Sequence, residues 1–124
     1  MNFIYKIPNY NLQDYPVFKS DWQKPKNYTG ICFLESVKAL CWFVNGKSHR
    51  EHEPATIWFD KQSKPQACEW RYNNKIHRLD GPSYWCIHDI NECYHIDGIE
   101  YEKQDYYKHP LVIKNLMNKI LSEL

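Results

Sequence analysis

Two apolar runs of strand length, residues 31–34 and 37–44, meet at Glu35-Ser36. The second runs into Asn45-Gly46, a pair suited to φ > 0 at both centres of a type I′ hairpin turn. The rhythm then continues. Short strands are predicted at 47–50, 55–59, 66–72, 76–78, 83–87, 92–96 and 99–101. Between them fall turn clusters at Glu53-Pro54, 60–65, Asn73-Asn74, Asp80-Gly81-Pro82, 88–91 and Asp97-Gly98,. Strands of about five residues joined this way make an antiparallel meander.

After Glu102 the period changes. Val112, Ile113, Leu116, Met117, Ile120, Leu121 and Leu124 recur at the spacing of one helix face,. Pro110 suits the first helical turn, where its missing N–H costs nothing. This helix is expected to lie on the sheet and close its core. Residues 1–27 are cut into short pieces by Pro8, Pro16 and Pro25,. They are expected to form an irregular cover, with a short strand at Phe3-Ile4-Tyr5 and with Val17, Phe18 and Trp22 docked on the sheet.

Within the meander one phrase is written twice. WFVNGKSHREHEPA starts at Trp42 and WRYNNKIHRLDGPS at Trp70, placing Trp42 and Trp70, Lys47 and Lys75, His49 and His77, Arg50 and Arg78, and Pro54 and Pro82 each 28 apart. A third copy of the opening, YHIDGIEYE, starts at Tyr94, with Gly98 standing 24 after Asn74. A fixed period of this length marks a repeat architecture. The expected fold is therefore mainly β. Within a single domain, 1–124, lie an N-terminal cover (1–27), β-hairpin repeats (28–102) and a helical cap (103–124).

Charge and composition narrow the function. Lys and Arg number 16 against 15 Asp and Glu, a net charge of +1. That lacks the basic field of a non-specific nucleic-acid or membrane-surface binder. No apolar run approaches membrane-spanning length. The five cysteines are odd in number, and no basic n-region followed by an apolar stretch opens the chain,. Reduced thiols in a cytoplasm are the expectation. Cys86 and Cys93 would sit opposite one another if their turn centres between Asp89 and Ile90.

Several residue groups carry possible chemistry. His49-Arg50 and His77-Arg78 invite a catalytic reading, because His and Arg with Asp80 could handle a proton or a phosphate, and only the second unit is intact. The structural reading is stronger: strand neighbours point to opposite faces, each His packs beside a Trp and bonds a turn, and Arg78 pairs with Asp80 or with turn carbonyls. Trp42, Trp70 and Tyr94 are equivalent positions and form a core ladder. Trp58 and Trp85 are displaced by one position relative to the repeat, so alternation puts them on opposite faces; one of them, with Tyr84, is a candidate exposed aromatic surface. No C-x-x-C, P-loop, dinucleotide loop or H-E-x-x-H occurs,. No metal, cofactor or catalytic residue is expected.

The second unit, with Asn73, Lys75, His77, Arg78, Asp80, Gly81 and Pro82, resembles a repeat of bacteriophage and giant-virus proteins that reads W-Y-x-N-G-K-x-H-R-x-D-G-P-A. It is similar to MORN hairpin repeats with His-Arg and Asp-Gly-Pro added. Tyr106-Tyr107-Lys108-His109-Pro110 resembles the family's closing segment. The first unit departs at His52 and Glu53, and the third has Tyr101-Glu102 where His-Arg belongs. The resemblance implies a scaffold and a surface more than a chemistry: a small viral accessory protein in the host cytoplasm, binding a host protein such as a defence component. Other readings are a protein that sequesters or hydrolyses a nucleotide signal, and a homo-oligomer built through sheet edges.

Overall fold

The computed structural model describes residues 5–124. Its strands are β1 (Val17–Phe18), β2 (Gly30–Leu34), β3 (Ala39–Val44), β4 (Lys47–Ser48), β5 (Thr56–Phe59), β6 (Pro65–Glu69), β7 (Arg71–Tyr72), β8 (Lys75–Ile76), β9 (Tyr84–Cys86), β10 (Asp89–Ile96) and β11 (Ile99–Tyr101). Two helices follow, α1 (Lys103–Tyr106) and α2 (Pro110–Ser122). The fold is mainly β, with one large sheet and a short C-terminal helix. The sheet runs β1-β2-β3-β5-β6-β9-β10-β11, and β4 pairs with β3; β7 and β8 form a separate hairpin. All pairings are antiparallel except β1 with β2.

The three repeat tips use the expected turns. Asn45 and Gly46 have φ of 50° and 79°, Asn73 and Asn74 of 48° and 69°, and Asp97 and Gly98 of 49° and 82°. Gly46 is required for a second reason: a Cβ there would stand 2.0 Å from the Lys26 carbonyl oxygen.

Period-two alternation divides β3 between the sheet's faces. Ala39, Cys41 and Phe43 join Cys32 and Leu34 on one side, where Phe18, Tyr28 and Trp58 pack. Leu40 joins Ile57, Phe59, Cys68 and Trp70 on the other, where Trp42 and Trp85 pack. The N-terminal cover lies on this second side through Tyr5, Ile7, Tyr10, Leu12 and Tyr15. Tyr5 meets Trp70 edge-on at 5.0 Å, and Tyr10 meets Trp42 at 5.5 Å. Phe3 and Ile4 of the expected first strand lie outside the described residues. Phe18 docks as expected, but Val17 and Trp22 do not: they are 54% and 81% exposed.

The C-terminal end corrects the expected cap. Tyr94, Ile96, Tyr106 and Val112 close the sheet's last unit, with Leu79 and Tyr101 beside them. Tyr106 comes from α1, and Val112 is the buried residue of α2. Leu116 is 56% exposed and Ile120 51%. From Leu116 onward every residue of the chain is exposed. The helix forms where expected, with Pro110 in its first turn and His109 Nδ1 accepting from Leu111 N–H. Its apolar stripe, however, is not buried on the sheet, because Tyr106 and Val112 already fill the space above Tyr94 and Ile96.

Candidate binding surfaces

The repeated phrase becomes a repeated set of contacts. Trp42 N–H donates to Ala55 O and Trp70 N–H to Ser83 O. His49 N–H returns to Trp42 O, and His77 N–H to Trp70 O. The tips stack on the unit before them: Gly46, Asn74 and Gly98 N–H donate to the carbonyls of Tyr28, Ser48 and Ile76. Beside each bond a side chain holds the other tip residue. Thr29 Oγ1 accepts from Asn45 N–H at 2.9 Å, His49 Nδ1 from Asn73 at 3.0 Å, and His77 Nδ1 from Asp97 at 2.9 Å.

The arginines are equally engaged. Arg50 lies 4.0 Å over the Trp42 ring and donates to Pro54 O at 3.3 Å and Tyr10 Oη at 3.2 Å. Arg78 lies 3.9 Å over Trp70 and donates to Asp80 at 2.8 Å and Pro82 O at 2.9 Å. The Arg78–Asp80 pair and a bond from Arg78 to a turn carbonyl, both expected, are present. The expected His–Trp packing is corrected: His49 and His77 flank Tyr72, at 4.3 and 5.7 Å, and the Trp faces are taken by Arg. A flat guanidinium stacks on indole while its several N–H groups reach a carbonyl and a second acceptor together.

His77 and Arg78 were expected on opposite faces. They instead lie beyond the short β8, outside any strand, and both line one cleft. Its walls also carry Arg50, His52, Trp70, Tyr72, Asp80 and Asn115, and its volume is about 280 Å³. That is below the usual range for small-molecule pockets, about 300–1,000 Å³. Glu51 and Asp80 balance the two arginines formally, so the cleft is not an anion funnel. Burial lowers the pKa of His77, with Asp97 opposing the shift.

The aromatic candidates separate as expected. Trp58 packs on the first face and Trp85 on the second. Neither is an open aromatic, since both are half-buried. Tyr84 meets Trp58 at 6.3 Å, and the two line a second groove with Gln66, Ala67, Cys86 and His88, also of about 280 Å³. Burial next to Cys86 pushes the Tyr84 phenol up to about 12, so it is a neutral donor at physiological pH.

Cys86 and Cys93 are not opposite. The turn comes earlier, at residues 87–88, so Asp89 faces Cys86 and Cys93 faces Tyr84, with an irregularity between. The directly opposed pair is Cys32 with Cys41, both buried. Burial pushes their thiols up to about 11 and about 12. All five cysteines are free thiols. Among the described residues no group of three or more His, Cys, Asp or Glu is placed to hold a metal ion, and no helix is long and apolar enough to cross a membrane.

The pair His49-Arg50, the 28-residue equivalent of His77-Arg78, pointed to Arg50, whereas His52, Tyr72 and Asn115 were not expected in the cleft. Asn115 arrives from α2, where its side chain donates to Leu79 O at 3.5 Å. No protein-family model, curated protein or solved structure matches this chain.

Proposed function

We propose that this chain is a small viral accessory protein that works as a non-enzymatic binding module, engaging and blocking a protein of the host cell, such as a defence component. One observation carries the reading: the repeated His and Arg side chains are spent on architecture. Each holds a neighbouring tip or turn, so the motif's chemistry serves the hairpin stack. The stacked hairpins fit the MORN-like resemblance, and the groove between Trp58 and Tyr84 is the candidate contact surface.

The test is a host-cell assay of the protein's biological effect, run beside unfolding measurements. Tyr84→Ala and His88→Glu should weaken the effect while the unfolding midpoint holds. His77→Ala and Arg78→Ala should lower stability and effect together. If Arg78→Ala abolished the effect at unchanged stability, the binding-module reading would fail in favour of a site at Arg78. A second reading, a nucleotide signal bound in this cleft, rests on Arg50, His77, Arg78 and Tyr72 lining it together. Equilibrium dialysis against nucleotides addresses it directly.

A further inference from the structure

The apolar stripe of α2 is the largest feature that the hairpin stack leaves unexplained. Ile113, Met117 and Ile120 follow the four-three spacing of a helix–helix seam,. Leu116 and Leu121 flank them, and Leu124 lies just past the helix end. All six are exposed, and the helix is solvent-exposed all round beyond Asn115. A second helix can therefore lie along it without displacing any part of the sheet.

We propose that this stripe is a dimer interface, occupied by α2 of a second copy. Area supports a self-pair. Six aliphatic side chains, each roughly half exposed or more, make a patch of roughly 500 Å², near the upper end of what a monomer leaves uncovered. Two such patches remove roughly 1,000 Å² from water, the lower limit for a specific interface. On a helical projection Lys114 borders one side of the stripe and Glu123 the other, whereas Lys119 falls beyond Glu123, on the side of the buried Val112,. The six side chains carry no charge, so two copies bury no unpaired side-chain charge where the stripes meet. The contact does not use the Trp58–Tyr84 groove, so it leaves that surface open on each copy.

Sedimentation equilibrium of the full chain over about 5–500 µM covers the micromolar affinity such a small interface implies. The mass should rise from 15.1 kDa toward twice that value. Leu116→Glu with Ile120→Glu should hold it at the monomer mass, with unchanged circular dichroism showing that the fold persists. Met117→Ser with Leu121→Ser is the milder pair should the first unfold the helix. A wild-type chain that stays monomeric throughout, or a dimer indifferent to both pairs, would overturn the proposal.

Discussion

Arg78→Ala is the perturbation that most directly tests how the hairpin stack is held. The Arg78 side chain is only 12% exposed. Its bond to the Pro82 carbonyl reaches a fully buried residue, and a charge-assisted bond of that kind contributes about 1.5–3 kcal/mol. Stacking on Trp70 adds about 0.5–2 kcal/mol. The pair with the more exposed Asp80 adds about 0–1 kcal/mol. One rigid group makes all three contacts, so they overlap, and the expected loss is about 2–4 kcal/mol. Asp80→Ala should cost less than about 1 kcal/mol, and the double variant less than the two losses together. Arg78→Lys should recover only part, since an ammonium cannot stack flat and donate in a fork at once. Arg50→Ala is the internal comparison. Its bonds at 3.2 and 3.3 Å are longer, so its loss should be smaller. Urea unfolding followed by tryptophan fluorescence reads all five variants, with a constant denaturant slope showing that only stability has changed. An Arg78→Ala midpoint equivalent to less than about 0.5 kcal/mol would refute the load assigned to this side chain.

The remaining expectations concern backbone, pH and helix. Gly98→Asn should be nearly neutral, because Asn74 occupies the equivalent position at φ 69° and the nearest atom to a new Cβ is 3.8 Å away. Gly46→Asn should cost several-fold more, since its Cβ would collide with the Lys26 carbonyl; equal midpoints for the two would contradict the close approach. Burial holds the His77 pKa below its ordinary 6.5, so the unfolded chain takes up the proton first. Stability should therefore fall as pH drops below about 6.5 and level off for this group beneath its lowered folded value. Protonation would also remove the Nδ1 acceptor for Asp97 N–H. Thermal melts of the parent and His77→Gln between pH 8 and pH 4.5, roughly the span in which histidine titrates, should show a shallower slope in the variant. Val112→Ala should destabilise by about 1–3 kcal/mol and Leu116→Ala by less than about 0.5 kcal/mol, read under dilute conditions that exclude dimers. A larger loss at Leu116 would restore the packed cap.

Much of the fold was legible because local signals and tertiary contacts agree. Asn45-Gly46, Asn73-Asn74 and Asp97-Gly98 each demand φ > 0, and each became a tip. The strand at 39–44 was legible from its apolar run and the Asn45-Gly46 tip that ends it, whereas the run alone did not divide its side chains between the two core clusters. Strand ends were less legible. The strand expected at 47–50 stops at Ser48 because His49 and Arg50 turn away to bond the next unit. The turn before β10 was misplaced because Ile87-His88 carries no Gly, Asn or Asp to mark it. The helix was recognised from its period, but its environment was not. An apolar stripe says that a face is to be covered and not by what.

The decay of the third unit follows from the same geometry and bears on function. In units one and two the His side chain serves the tip of the unit that follows: His49 holds Asn73 and His77 holds Asp97. The unit that starts at Tyr94 is the last, so it has no following tip to hold, and Tyr101-Glu102 stands where His-Arg would be. Its aromatic ring must still be covered, and there is no Arg to stack on it. Tyr106 takes that place, 4.8 Å from Tyr94. Its hydroxyl donates to Arg78 O at 2.5 Å and accepts from Gly81 N–H at 3.2 Å. One phenol thus covers the ring and ties α1 to the turn that Arg78 braces. Burial pushes that phenol up to about 12, so it remains a neutral donor and acceptor. The motif is therefore present where a next hairpin needs it and absent where none does. An architectural role produces that distribution directly. A catalytic role would give no reason for His-Arg to track the presence of a following tip, nor for a buried tyrosine to replace the guanidinium at the end of the stack.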